Sequence, residues 1–312
     1  MLKNFGLLIE DKGRAKDWVC GGVTGIVSEV LVEDGQWGDY LPVYESQRNK
    51  YFDSMSCLSY SALNCLEILH KRRYEEEANW SDRFIAKESD TTKKGNYLSK
   101  VADTIRTKGM VLEKYWQFEE FKSWEEYMAN IPLDLYDYSK EFLKHYSINW
   151  EWVYTRDIKE LKNILRYAPL QVTVYAWEKP VNNIYERTNE KANHAVTLYG
   201  YKDNEYWLIY DHYDKKIKKL AWNFKFGHII KFYITMDKPM KPEIKDNTFV
   251  QLVEGIGGFG LVLDGKIIVD DLAKVQASFI MRNNGDIKGK TKSLTQEQFD
   301  EFEKINLKKE VV

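Results

Sequence analysis

The run Ser56-Cys57-Leu58-Ser59-Tyr60-Ser61-Ala62, continuing through Asn64, Cys65 and Leu69, is where the reading of this chain begins. Leu58, Ala62, Cys65 and Leu69 recur at helical spacing, and Asp53, Ser54 and Ser56 stand just ahead as alternative N-caps. Cys65 lies on that apolar stripe. Cys57 lies off it, in line with Ser61 and Asn64, and falls in the first turn whichever cap operates. The positive end of a helix favours thiolate over thiol, so Cys57 is the candidate nucleophile and Cys65 a small buried hydrophobe.

A thiol nucleophile needs an imidazole to hold its proton and a further group to orient that imidazole. The histidines are few: His70, His145, His194, His212 and His228. His194 opens the strand pattern Ala195-Val196-Thr197-Leu198-Tyr199-Gly200-Tyr201, and Asp211 closes the next, Tyr206-Trp207-Leu208-Ile209-Tyr210, so adjacent strands can bring the two together. A metal reading of Asp211-His212-Tyr213-Asp214 is disfavoured, because neighbours on a strand point to opposite faces. No metal and no cofactor is expected.

Outward from these blocks, Leu98, Val101, Ala102 and Ile105 predict a second helix ending at Gly109, so the first part of the chain is mainly helical. Asp157-Ile158-Lys159-Glu160 opens a short helix that Ala168-Pro169 closes. Runs rich in Val, Ile, Leu, Thr and Tyr at residues 170–176, 195–201, 206–210 and 229–235 then predict a mainly antiparallel sheet or barrel. Residues 237–246 have linker composition. Beyond them Asp264-Gly265 between two apolar runs predicts a hairpin, and Thr295 with Gln298 makes a capping box for a terminal helix carrying Phe299 and Phe302. Gly255-Ile256-Gly257-Gly258-Phe259-Gly260 matches a dinucleotide fingerprint literally, yet a strand follows it where that fingerprint needs a helix.

Composition narrows the rest. The 312 residues are ample for a real core, 46 Lys+Arg against 48 Asp+Glu leave no global field for nucleic acid or an anionic membrane, and three cysteines are no disulfide framework. The first ten residues turn acidic before an apolar signal core develops, and residues 19–32 are too short to span a bilayer, so a soluble product of cytoplasmic synthesis is expected.

Gln47, the Cys57 run, Asn193-His194-Ala195-Val196 with Gly200-Tyr201, and Trp207-Leu208-Ile209 leading to Asp211-His212-Tyr213 together resemble the papain family of cysteine peptidases. The order is Gln, Cys, His, then acid. His194 follows Cys57 by 137 positions and Asp211 by 154, close to the roughly 130 to 150 residues expected of papain-like enzymes. The resemblance covers about residues 40–236. It implies an α+β, two-lobe fold, with a helical lobe over about 50–130, a sheet or barrel lobe over about 150–236, an N-terminal segment (1–39) packed on the lobes, and a small C-terminal β-rich module at 247–312.

It also implies roles: Cys57 as nucleophile, His194 as base and later acid, Asp211 orienting the imidazole, Gln47 and the Cys57 backbone N–H as oxyanion donors, and Gly95 and Tyr213 at the substrate. Departures are Asp211 where the family usually has Asn, Leu58 and Tyr213 where it has Trp, and a long segment at 48–56 between Gln47 and Cys57. The expected activity is cleavage of peptide bonds, with a structural protein or cell-wall peptide as substrate. An inactive papain-fold component of a particle is the alternative. The whole resembles papain-like proteins of tailed bacteriophages or their bacterial hosts, with the C-terminal module as a contact to virion or cell wall. The N-terminal forty residues lack the long charged helix of an inhibitory propeptide, so control by a pro-segment is not expected.

Overall fold

The computed structural model describes residues 4–10, 17–21, 29–118, 121–213 and 217–236, and strands within 249–306. The chain divides into two units, Met1–Thr235 and Met236–Val312.

In the first unit a short strand β1 (Leu7–Leu8) precedes the long helix α1 (Cys57–Tyr74) and the helix α2 (Asp82–Glu88). Strand β2 (Asn96–Tyr97) leads into α3 (Leu98–Lys108), followed by α4 (Trp124–Tyr127) and α5 (Leu135–His145). Strand β3 (Tyr146–Trp152) and helix α6 (Ile158–Leu165) then give way to β4 (Leu170–Val174), β5 (Ile184–Tyr185), β6 (His194–Lys202), β7 (Tyr206–Tyr210), β8 (Ile217–Ala221) and β9 (Ile229–Met236). Strands β3 to β9 form one sheet in the order β3-β9-β4-β6-β7-β8-β5, antiparallel where β4 meets β6 and β9 and where β7 meets β6 and β8.

The local chemistry explains these elements. Asp157 caps α6 by accepting the backbone N–H groups of Lys159 and Glu160, the arrangement its acidic opening predicts. Gly109 ends α3 at a positive φ of 77°. The apolar stripe read on α1 is only part of its story, since every side chain from Cys57 to His70 is buried. One flank of α1 meets the sheet through polar contacts. Gln171 on β4 donates to Leu58 O and Ser61 Oγ, Thr197 on β6 donates to Ser61 O, and the Cys65 thiol lies 3.7 Å from Thr197 Oγ1. These bonds satisfy groups that burial would otherwise penalise, so Ser61, off the stripe, is as buried as the leucines on it.

The sheet's core gathers Val172, Val174, Val196, Leu198, Trp207, Ile209 and Leu220 with Leu161 and Leu165 of α6, and Phe5 belongs to the same cluster. No helix among the described residues is long and apolar enough to cross a membrane.

In the second unit five strands run in the order β13-β10-β11-β12-β14: β10 (Phe249–Leu252), β11 (Phe259–Leu263), β12 (Lys266–Val269), β13 (Thr291–Leu294) and β14 (Lys304–Asn306). Leu263 pairs with Lys266 across the predicted Asp264-Gly265 position. Past the position of the predicted terminal helix, residues 304–306 form a strand parallel to β12. The capping box, Phe299, Phe302, the 237–246 linker and most of the glycine run lie outside the described residues.

Candidate active site

Cys57 is the first residue of α1, entered through Ser56, whose side chain makes no cap bond and meets Tyr127 Oη instead. The backbone N–H groups of Ala195 and Leu58 act on the Cys57 sulfur to favour its thiolate, which puts it near the residue that follows His194. Register explains why an acid arrives at the same place. Thr197 pairs with Tyr210 in the β6–β7 ladder, so the start of β6 and the residues just past β7 share one edge of the sheet. There His194 Nε2 lies 2.8 Å from Asp211 Oδ1. The His194 Nδ1 atom is buried and makes no hydrogen bond, so the imidazole is held at one nitrogen and open at the other.

Asp211 has further donors. Its Oδ2 accepts Trp177 Nε1 at 2.9 Å and Lys218 Nζ at 2.5 Å. Burial alone would push this carboxyl up, but His194, His212 and Lys218 outweigh it and hold the group below the usual carboxylate range. An ionised carboxylate only accepts, which assigns the proton on His194 to Nε2 and leaves Nδ1 as the basic nitrogen. Cys57 is shifted the other way. Burial, helped by the nearby Asp53 and Asp211 charges and opposed by the two N–H donors, pushes its thiol up, so it is protonated in this arrangement.

His212 corrects the sequence expectation about direction. Strand β7 stops at Tyr210, so Asp211 and His212 lie beyond regular alternation, and His194, Asp211 and His212 bring ligand-type atoms within 4.8 Å of one another. The His212 ring stacks on Tyr60 and neither ring nitrogen makes a hydrogen bond. Burial, joined by the His194 and Lys218 charges and opposed by Asp211, pushes it down to about 3. Lys218 already puts a cation on the carboxylate such a cluster would use, so these residues fit a proton-handling site better than a metal centre.

Gln47 is held beside this site despite the long segment after it. Arg48 bridges back to Asp53, Asn49 Oδ1 caps the turn by accepting Tyr51 and Phe52 N–H, and Ser54 N–H returns to Gln47 O. The insertion is thus a closed loop that leaves Gln47 in place, with its own N–H on His212 O at 2.8 Å. Its side-chain amide donates to Asp53 Oδ1 at 2.7 Å and to the backbone carbonyl of Phe5 at 3.2 Å.

That carbonyl belongs to a run of chain the sequence reading did not expect here. Phe5 N–H donates to Asn193 O, its ring lies 5.5 Å from His194 and 4.7 Å edge-on to Tyr213, and Arg48 stacks on the other ring, that of Tyr213. Gly6 O accepts Asn96 N–H, and β1 pairs in parallel with β2 directly after Gly95. The approach is close: a Cβ added at Gly95 would lie 2.0 Å from Gly6 O, and one at Gly6 would lie 2.2 Å from Met55 O. Residues 4–8 therefore touch Gln47, Gly95, His194 and Tyr213 at once, and Cys57, His194 and Asp211 are each 0% exposed.

No family model matches the sequence, and neither does any curated relative. Solved structures do match. Xylellain, a cysteine protease from Xylella fastidiosa, superposes with a TM-score of 0.56 at 14% identity, over 75% of this chain and 96% of that one. The clostridial cysteine protease Cwp84 after propeptide cleavage gives 0.52 at 15% identity over 64% of this chain, and the protease and lectin-like domains of Cwp84 from Clostridium difficile give 0.51 at 15% over the same share. The fold is papain-like. The match spans 57% of the first Cwp84 chain and 50% of the second. Within this papain-like fold the predicted residues Cys57, His194, Asp211 and Gln47 converge, while Gly95 and Tyr213 border residues 4–8. Sequence reasoning missed Phe5, Trp177 and Lys218. Trp177, just beyond β4, donates its indole N–H to Asp211 Oδ2.

Proposed function

We propose that the chain is a cysteine peptidase in which Cys57 Sγ attacks the carbonyl carbon of a peptide bond. The observation that carries this reading is the buried imidazole of His194, fixed to Asp211 through Nε2 with Nδ1 unbonded, one residue before the N–H that meets the Cys57 sulfur. Nδ1 takes the thiol proton as the sulfur bonds to carbon, then returns it to the departing amine, which leaves a thioester. Water, deprotonated by the same nitrogen, breaks the thioester and regenerates the thiol. Asp211 keeps the ring in the productive tautomer throughout. The developing oxyanion needs donors, and Gln47 Nε2, which here donates to the carbonyl of Phe5, is suited to that task together with the Cys57 backbone N–H.

The test is peptide hydrolysis combined with intact-mass analysis after a thiol-directed probe, using a library that includes cell-wall peptides. Wild type should cleave and take one label at Cys57. Cys57→Ala should lose both, and His194→Ala should lose most of the labelling. Equal labelling of wild type and His194→Ala would mean an accessible thiol and no activated one, which ends the reading. The second reading, a non-enzymatic component built on the same fold, is favoured by one observation, the complete burial of Cys57 in a site where residues 4–8 also contact Gln47 and His194. It predicts no turnover of any peptide even after that segment is displaced.

A further inference from the structure

Asp211 sits at the centre of three groups that can carry charge. His194 Nε2 is on Oδ1, Lys218 Nζ is on Oδ2 beside Trp177 Nε1, and the His212 ring lies 5.3 Å from that of His194. Asp53 joins Asp211 in facing the Cys57 sulfur. The side chains of Asp211, His194 and Lys218 are all 0% exposed, so these charges act through dry protein rather than water. Lys218 reaches the carboxylate from β8, where it pairs with Ile209 of β7, and its ammonium lies 5.1 Å from the centre of the Trp177 ring.

Packing does not call for an ammonium at such a position. A buried ion pair rarely stabilises a fold more than apolar side chains of similar volume would. The pair does solve an electrostatic problem created by the acid. An unopposed carboxylate here would work against a thiolate at Cys57 and would bind the imidazolium of His194 too firmly for it to hand its proton on.

We propose that Lys218 is a positioning residue acting through Asp211: its ammonium cancels the carboxylate's charge, so that the pair orients His194 as one neutral unit would. The inference rests on the peptidase reading for its purpose and on the geometry above for its existence. Lys218 touches no reacting atom, and its influence passes through Asp211 to His194.

The experiment follows the titration of the His194 ring resonances by NMR in the full chain, assigned with His194→Gln, alongside peptide hydrolysis by the same proteins. In Lys218→Met the midpoint moves up by about one pH unit or more, the size of shift a single nearby charge produces. The double variant Lys218→Met/Asp211→Asn brings it back to within about half a unit of wild type. Should Lys218→Met alone not fold, the comparison of Asp211→Asn with the double variant carries the same test, because the retained ammonium must hold the midpoint of Asp211→Asn about one unit below the double. A midpoint that does not respond to the removal of Lys218 in either background overturns the inference, whether or not the chain cleaves peptides. A responsive midpoint in a chain that hydrolyses nothing keeps the charge pairing and removes the peptidase reading. If both hold, the acid limb of kcat/KM, set by the need for an unprotonated His194, moves with the midpoint, which a purely structural lysine would not cause.

Discussion

At the scale of single residues, the site is a set of donors and acceptors with few alternatives. Gln47 has two amide hydrogens and spends one on Asp53 and one on a backbone carbonyl. Under the peptidase reading, Gln47→Ala should lower kcat/KM by roughly 10²-fold, the usual loss for one oxyanion donor, while leaving the rate of Cys57 labelling within about threefold of wild type. An equal fall in both would mean that Gln47 supports the thiol itself. These residues were legible in the sequence because chemistry restricts them: a thiol at a helix start, an imidazole opening one strand and an acid closing the next leave few other pairings. Lys218 was not legible. A lysine in a strand rich in lysines, Lys218 beside Lys219, gives no sign of which one turns inward until the register of β8 against β7 is fixed. His212 misled for a related reason, since alternation is a property of a strand and β7 had already ended.

Elements bring in what single residues cannot. Helix α1 was predicted from one apolar stripe, yet its polar flank is equally enclosed, with Gln171 and Thr197 supplying partners for Leu58 O and for Ser61. Periodicity registers apolar faces only, so a polar interface between helix and sheet was invisible to it. The run at residues 4–8 escaped notice for want of length. Five residues show no period, and their position depends on Gly6 and Gly95 passing within van der Waals contact. Gly6 adopts a φ of +109°, which side-chain-bearing residues rarely adopt. Gly6→Ala should therefore lift the run and raise the rate of Cys57 alkylation by at least about tenfold, equivalent to the roughly 1.4 kcal/mol that such strain readily exceeds. Alkylation at the wild-type rate in a folded Gly6→Ala protein would show that the run is no barrier to reagents.

Across the whole molecule, buried ionisable groups set how stability varies with pH. Glu67, Asp82 and Glu113 in the helical part are held up by burial first and by one another and Glu45 second, Glu113 to about 8. Each binds its proton more tightly folded than unfolded, so its contribution is complete in acid and fades as pH rises through the folded value. His70, His212 and His228 are held down, chiefly by burial, and their contribution fades in the opposite direction, as pH falls below the ordinary imidazole range. Asp211, held low, is already ionised across neutral pH and adds no slope there. Above about pH 6.5 the histidines are silent, so the carboxyls decide and the chain loses stability between pH 6.5 and 8.5. Glu113 alone accounts for about 2 kcal/mol of that loss. Urea midpoints at the two pH values should fall accordingly in wild type and fall less in Glu113→Gln; a midpoint that rises would mean that these carboxyls are ionised in the fold.

Phe5 has a double membership whose cost falls on the protein itself. Its ring is part of the cluster that holds the sheet together, and its carbonyl occupies the amide of Gln47. Lifting Phe5 away from Gln47 must therefore also strip a phenyl group from the hydrophobic interior, a loss of roughly 1.5–3 kcal/mol. At rest this leaves no more than about one molecule in ten to one in a hundred with Phe5 lifted away. The hold on Gln47 and the integrity of the core are drawn from the same residue, so a looser seat for Phe5 would free the amide and soften the fold together.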